Sequence, residues 1–219
     1  MSMSVEQFLS LSDAEQLQTI KDLNDIGQED VIIDVLTGVG IDNLSAPLLG
    51  ELGRAYNNND KPEEAIKVFK AIDKKYRDAV WHYRCAYSHG SISSTNHEAY
   101  TSENMQQMLA LVDNGVQLAT KEGRKDIREY CFEVMDMCRL QMDFEKCEVD
   151  YPDLCLNYSK YIAEKKKKRE GVPRQRTITV EEILATDDMW TINEPAYWTI
   201  NIYGSYDNYL ESAKGFTVE

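Results

Sequence analysis

The sequence predicts an all-α protein in which antiparallel helix pairs stack side by side. Three observations support this fold class: apolar residues recur at helical spacing, short polar or glycine-containing breaks separate the apolar segments, and alternating Val, Ile and Thr are scarce before residue 176. Of the 219 residues, 42% are hydrophobic and 28% are charged, which is the balance of a globular chain. A stack of helix pairs accounts for this pattern better than a sheet does.

End signals delimit the first helices. Ser12 precedes Glu15 by three residues, which is the spacing of a capping box and predicts that a helix begins there. Gly27 ends this segment, and a second apolar run ends before Gly38 and Gly40. Similar patterns predict six further helices, near residues 44–57, 62–75, 79–90, 102–121, 124–147 and 152–169.

One predicted helix pair carries a more specific pattern of large and small apolar side chains. Its members are Leu49, Leu52, Gly53, Tyr56, Ala65, Phe69 and Ile72. The missing side chain at Gly53 and the small one at Ala65 allow two helices to approach closely, and Phe69 fills the space beside them. Asn57 to Asp60 suit the turn, and Pro62 suits the first turn of the next helix. These spacings resemble the tetratricopeptide repeat, a helical hairpin of about 34 residues.

A second, degenerate unit follows the first. Cys85 lies 33 residues after Leu52, which is close to the repeat period. A polar stretch over residues 88–104 is expected to interrupt this unit. The resemblance covers residues 44–90 and implies a tetratricopeptide-like α-α superhelix of stacked antiparallel helix pairs. Another kind of helical bundle is the alternative.

The resemblance also implies where a ligand would bind. In tetratricopeptide-type proteins the first helix of each pair lines a concave groove that holds a peptide or a helix. On that basis the candidate partner-binding residues are Arg54, Asn57 and Asn58 in the first unit, with Tyr83 and Tyr87 in the second. The alternative is that Arg54 and the asparagines are ordinary solvated residues at a helix end and that the tyrosines belong to the core.

Charge limits the classes of partner. The 38 acidic residues outnumber the 24 basic ones, which gives a formal net charge of −14 and a pI of about 4.7. Direct binding of nucleic acid is not expected, because neutralising phosphates requires a net basic surface. Residues 160–176 reverse the local sign, with eight basic residues against two acidic ones. Such a run is more typical of a solvated helix end than of a nucleic-acid or membrane-binding patch.

The chain is expected to divide after the basic run, where Gly171 and Pro173 indicate a linker. This predicts a helical repeat domain over residues 1–171. Residues 172–219 would then form the linker and a partial C-terminal domain packed on the helical body. The last 43 residues contain two Trp and four Tyr, so this short segment is rich in aromatic side chains.

Part of this C-terminal segment reads EPAYWTINIYGSYDNYLESAKGFT. Over residues 178–219 the chain resembles the start of a bacterial domain family typified by a small acidic DNA-mimic protein. The resemblance implies an alternative function, in which carboxylates imitate the phosphates of a duplex. The protein would then be an acidic DNA mimic or an immunity-type inhibitor that occupies a basic nucleic-acid-binding protein.

No motif for catalysis is present. The sequence contains no GxxxxGK[ST], GxGxxG, HExxH or GxSxG pattern. The five cysteines form no CxxC pair, so reduced thiols are expected, with Cys131 and Cys138 acting as small buried side chains. His82, His89 and His97 are expected to be exposed or hydrogen-bonded rather than bound to a metal. We therefore expect no catalytic residue, no cofactor and no metal.

The predicted location is the cytoplasm. The first residues, MSMSVEQFLSLSDAEQ, lack the basic start and the unbroken apolar stretch of a secretory signal. No window is apolar enough to cross a bilayer, so no membrane association is expected. Together these observations predict a cytoplasmic, non-enzymatic protein–protein interaction module that binds a peptide or protein in a helical-repeat groove.

Overall fold

The computed structural model describes residues 3–170. Within this range the chain forms ten α-helices and two short 3-10 turns, with no β-strand. The helices are α1 (Val5–Leu9), α2 (Asp13–Asp25), α3 (Glu29–Val39), α4 (Ala46–Asn58), α5 (Pro62–Ala71), α6 (Ala79–Thr95), α7 (Glu103–Lys121), α8 (Lys125–Met137), α9 (Phe144–Asp150) and α10 (Pro152–Glu170). The all-α fold class is therefore confirmed.

The helices pack as consecutive pairs. Helix α2 packs on α3, α4 on α5 and α6 on α7, and the second helix of each pair also packs on the first helix of the next. The first helices, α2, α4, α6 and α8, contact one another in that order. This is the contact pattern of stacked helical hairpins, in which each unit meets its neighbours. The predicted stack of antiparallel helix pairs is confirmed, and it sets α4, α6 and α8 side by side.

The chain divides into two compact units. The first comprises Met1–Ile162, and the second begins at Ala163. All the packing described here belongs to the first unit. The predicted C-terminal segment, residues 172–219, lies outside the described residues. The same is true of its resemblance to the DNA-mimic-type domain and of its expected packing on the helical body.

Two clusters of buried side chains meet at α6. Trp81 and Cys85 belong to the cluster that also contains Phe69, formed mainly by α1 to α5. Ala79 and Ala86 belong to the cluster formed with the helices that follow. Helix α6 therefore contributes to both cores, which fixes its position relative to the helices on either side.

The close contact predicted between α4 and α5 is present. A Cβ atom built at Gly53 would lie 2.5 Å from Cε1 and Cζ of Phe69, closer than real atoms approach. Ala65 and Phe69 are fully buried. Helix α6 joins this contact, because Nε1 of Trp81 donates a hydrogen bond to the backbone carbonyl of Phe69 at 3.0 Å. The spacing of these residues in the sequence therefore predicted a real helix–helix contact.

Helix α2 begins with the predicted capping box. The backbone N–H of Glu15 donates to Oγ of Ser12 at 3.5 Å, and the backbone N–H of Ser12 donates to Oε2 of Glu15 at 2.9 Å. Two N–H groups that the helix leaves unpaired are satisfied in this way. The start of the first long helix is thus set by residues within its own first turn.

Helix α6 is longer than predicted. The expected helix ended near residue 90, but α6 continues to Thr95. Its polar side chains have partners on other segments: Oγ of Ser88 donates to Oδ1 of Asn57 at 2.7 Å, and Nδ1 of His89 lies 2.9 Å from Oδ1 of Asn104. The prediction was wrong because these polar side chains are hydrogen-bonded inside helix–helix contacts, whereas composition alone indicated an irregular segment.

The single helix predicted over residues 124–147 is two helices. Helix α8 ends at Met137, and α9 begins at Phe144. Asp143 caps α9, because its Oδ1 accepts a hydrogen bond from the backbone N–H of Lys146 at 3.2 Å. An aspartate at this position is a helix start signal. The continuous apolar spacing of the segment concealed it.

Two histidines of α6 couple stability to pH. Burial lowers the pKa of both His82 and His89, and for His89 a hydrogen bond to Asn104 opposes the effect only in part. As the pH falls below about 6.5, the unfolded chain binds protons before the folded protein does. We therefore expect the free energy of unfolding, measured by urea denaturation, to decrease between about pH 7 and pH 5.5. His89→Gln should make the free energy of unfolding change less over this pH range.

His82 provides a second check of this assignment, because burial lowers its pKa as well. His82→Gln should also make the free energy of unfolding change less between about pH 7 and pH 5.5. An unchanged dependence of stability on pH in both His82→Gln and His89→Gln would contradict the assignment to these two histidines.

Candidate functional site

Helices α4, α6 and α8 line one groove, with a volume of about 570 Å³. All five residues that the sequence singled out line it: Arg54, Asn57, Asn58, Tyr83 and Tyr87. Helix α8 and the residue before it supply a third wall that the sequence did not indicate, formed by Arg124, Asp126, Ile127 and Tyr130. The structure thus brings the candidate residues together, and their role in binding a partner stays a prediction.

Carboxylates outside the groove lining pair with two of its arginines. Nη2 of Arg54 lies 2.9 Å from Oδ1 of Asp25, and Nη1 lies 3.7 Å from Oε2 of Glu51. Nη1 of Arg84 donates to Oε1 of Glu51 at 3.0 Å and to the carbonyl of Gly50 at the same distance. Asp25 and Glu51 do not line the groove themselves. The two guanidinium groups are therefore oriented before any ligand arrives.

A third arginine stands at the start of α8. Nε and Nη2 of Arg124 donate to the two carboxylate oxygens of Asp126, at 3.1 and 2.8 Å. This paired geometry raises the pKa of Arg124 and lowers the pKa of Asp126. Both side chains are exposed, so the pair contributes little to stability and its oxygen and nitrogen atoms are open to exchange with a ligand.

Glu51 is the buried centre of this network, with 5% of its surface exposed. Besides its contacts with the two arginines, Oε2 accepts a hydrogen bond from Nδ2 of Asn24 at 3.0 Å. One carboxylate therefore links α2, α4 and α6. The sequence contained a signal for it, because Glu51 falls at helical spacing between the buried Leu48 and Ala55.

The two asparagines of α4 have different environments. Asn57 is buried, and its amide joins α4 to α6: Nδ2 donates to the carbonyl of Arg84 at 3.0 Å, while Oδ1 accepts from Ser88. Asn58 is exposed, and its Nδ2 donates to Oε1 of Glu29 at 3.3 Å. Asn57 therefore supports the groove wall, and Asn58 is the asparagine that a ligand can reach.

Tyrosines of α6 and α8 also line the groove. The rings of Tyr83 and Tyr130 stack with centroids 5.3 Å apart and planes 28° apart, which joins α6 to α8. Burial raises the pKa of Tyr83, and the nearby Tyr87 raises it further. Tyr87 is 36% exposed and Tyr130 is 45% exposed. The groove therefore offers ring faces and hydroxyl groups beside the guanidinium groups.

The cysteines are buried and unpaired. Burial raises the pKa of Cys85 and of Cys131 to about 12, and that of Cys138 to about 11. Thiols of this kind are structural rather than nucleophilic. The expectation that Cys131 and Cys138 are small buried side chains is confirmed.

The described residues contain no group of three or more His, Cys, Asp or Glu side chains arranged to hold a metal. None of the helices in residues 3–170 combines the length and hydrophobicity that a membrane span requires. No protein-family model matches the sequence, and no curated protein or solved structure matches it significantly.

Proposed function

We propose that this protein is a non-enzymatic interaction module that binds a peptide or a protein segment in the groove between α4, α6 and α8. The observation that carries the proposal is the joint placement of three guanidinium groups and three tyrosine rings along one groove. They belong to Arg54, Arg84, Arg124, Tyr83, Tyr87 and Tyr130. Arginine and tyrosine are the residue types most enriched among those that dominate binding energy at protein interfaces, together with tryptophan.

The charges of the groove define the chemistry of its ligand. Three arginines and one aspartate line it, although the whole protein carries a net charge of −14. Arg54 and Arg84 each pair with a carboxylate outside the groove lining, and these ion pairs orient their remaining N–H groups. A segment that presents a carboxylate to the arginines and packs on the tyrosine rings would match both features.

The finer assignment to the tetratricopeptide type forms part of this proposal. It is supported by the contacts among the first helices of successive pairs and by the approach of Gly53 to Phe69. In such a stack the first helices form the surface that receives a partner. The groove of this protein lies on three of those helices.

The alternative proposal is that the protein is an acidic DNA mimic or an immunity-type inhibitor of a basic nucleic-acid-binding protein. Salt separates the two, because the binding of a basic partner by dispersed carboxylates weakens steeply as ionic strength rises. Groove binding that depends on buried aromatic contacts changes less over the same range. We expect the weaker dependence.

The proposal is tested by selecting ligands from a library of displayed random peptides with the full-length protein. Affinities of the selected synthetic peptides are then measured by fluorescence anisotropy. Arg124→Ala and Tyr87→Ala should each raise the dissociation constant by about tenfold, since each removes a groove contact worth roughly 1.4 kcal/mol. If both variants bound the peptides with the same dissociation constant as the original protein, binding in this groove would be contradicted.

Lys125→Ala is the matched control for Arg124→Ala. Lys125 follows Arg124 directly as the first residue of α8, carries the same charge and is exposed, but does not line the groove. Its removal should leave peptide affinity within about twofold of the original, because an exposed charge outside the contact acts only through the long-range field. An equal loss for Lys125→Ala and Arg124→Ala would indicate general electrostatics and contradict a specific contact.

A further inference from the structure

A second cleft adjoins the groove. It has a volume of about 390 Å³ and lies between α2, α4 and α6, beside the connection from α5 to α6. Among its lining residues, Leu17 and Val80 are half-buried, and Pro47 and Tyr76 are exposed. These side chains leave apolar surface in contact with solvent inside a concavity, which is the usual arrangement of a ligand subsite.

The deep wall of the cleft is rigid. Trp81 and Phe69 form part of it and are buried. Nε1 of Trp81 donates to the carbonyl of Phe69 at 3.0 Å, and the guanidinium group of Arg77 lies 4.5 Å from the tryptophan ring centroid. Because the wall is held by a hydrogen bond and a cation–π contact, a ligand would enter without reordering it.

The cleft and the groove are neighbours on α6. Val80 and Arg84 line both concavities. Nη1 of Arg84 is fixed between the carbonyl of Gly50 and the carboxylate of Glu51. A ligand segment that crosses Arg84 would therefore pass from a polar, guanidinium-rich groove into a cleft with apolar walls.

The charges of the cleft are already balanced in part. Its aspartate, Asp78, caps α6 by accepting a hydrogen bond from the backbone N–H of Trp81 at 2.8 Å. Its glutamate, Glu51, is paired with Arg84 at 3.0 Å. Neither carboxylate requires a cation from a ligand, and the remaining charged residue of the lining is the exposed Lys21, so the apolar walls are open to an apolar side chain.

We propose that this cleft is the subsite for one large apolar side chain, Leu, Phe or Trp, of the same peptide segment whose acidic group occupies the groove. The inference rests on the proposed function and adds to it the composition of the ligand. The ligand is a segment with an acidic residue and an apolar anchor, placed on either side of Arg84. Burial of the apolar side chain supplies affinity, and the arginines of the groove fix where the acidic residue of the peptide binds.

The test uses peptides selected by display against the full-length protein. The selected sequences should share an apolar residue at a fixed distance from an acidic one. Replacing that apolar residue with Ala should raise the dissociation constant by about tenfold. Tyr76→Ala in the protein should raise the dissociation constant of the original peptide by a similar factor. It should change the dissociation constant of the Ala-substituted peptide little further.

Two further variants make the result specific. Leu17→Ala alters a lining residue contributed by α2 and should also show coupling to the apolar residue of the peptide. Leu156→Ala is the control, since Leu156 is 55% exposed, close to the 57% of Tyr76, but lies on α10 outside both concavities. It should change affinity by less than about twofold.

The outcomes distinguish this inference from the proposed function. One result would overturn the cleft assignment and leave groove binding intact. In that result the affinity falls with Arg124→Ala and Tyr87→Ala but is unchanged by Tyr76→Ala, by Leu17→Ala and by loss of the apolar residue of the peptide. Binding that ignores Arg124 and Tyr87 would overturn the proposed function. A selected set with acidic residues and no shared apolar position would also overturn the cleft assignment.

Discussion

Phe69→Ala is expected to lower the free energy of unfolding by about 4 kcal/mol, measured by urea denaturation of the full-length protein. The ring of Phe69 is fully buried and fills the space that Gly53 leaves on α4. Its removal loses the transfer free energy of an aromatic side chain and leaves a cavity between α4 and α5. The hydrogen bond from Trp81 reaches the backbone carbonyl of Phe69, which the substitution retains, so the loss reports on the ring.

The converse substitution tests the same contact from α4. Gly53→Ala places a Cβ atom 2.5 Å from two carbons of the Phe69 ring. It should destabilise the protein by about 1 to 2 kcal/mol, although alanine favours the helix by up to about 1 kcal/mol. Adding Phe69→Leu, which shortens the facing side chain, should relieve part of the clash and make the double variant less destabilised than the sum.

Gly50 provides a matched control on the same helix. A Cβ atom there would lie 3.8 Å from Nη1 of Arg84, an ordinary contact distance. Gly50→Ala should therefore raise the free energy of unfolding by up to about 1 kcal/mol through helix propensity alone. If Gly53→Ala and Gly50→Ala had the same sign and size, the close approach of Phe69 to α4 would be refuted.

Features set by local sequence could be predicted, and features set by distant partners could not. The capping box of Ser12 and Glu15 lies within one turn, and the pattern from Gly53 to Phe69 lies within one hairpin. Both were predicted correctly. By contrast, the hydrogen bond from Ser88 to Asn57 spans 31 residues, and nothing in the neighbourhood of Ser88 indicates that its hydroxyl group has a buried partner.

The same distinction applies to the candidate site. The five predicted residues lie on α4 and α6, where the repeat pattern is legible, and the structure places them along one groove. Arg124 and Tyr130 come from α8, whose sequence keeps none of the repeat signature, so no alignment of spacing could assign them to the same surface. Only the packing of α8 on α6 adds this third wall.

The hydrogen-bond and ion-pair network around Glu51 leads to the second prediction of a large loss of stability. Glu51 is 5% exposed and interacts with Arg84 at 3.0 Å and with Asn24 at 3.0 Å. Replacing one member of a buried ion pair leaves the other charge without compensation, and this costs more than the pair contributes. The stability of the groove walls therefore depends on a carboxylate that does not itself line the groove.

Glu51→Ala is expected to lower the free energy of unfolding by about 3 kcal/mol, because the largely buried Arg84 loses its partner. Glu51→Leu combined with Arg84→Met should cost less than Glu51→Ala alone, since both charges leave the interior together. Glu63→Ala is the control: Glu63 is exposed on α5, and its loss should stay within about 0.5 kcal/mol. Urea denaturation of the original protein and the three variants measures these losses. If Glu51→Ala lowered the free energy of unfolding no more than Glu63→Ala does, the Glu51 carboxylate would not hold α2, α4 and α6 together.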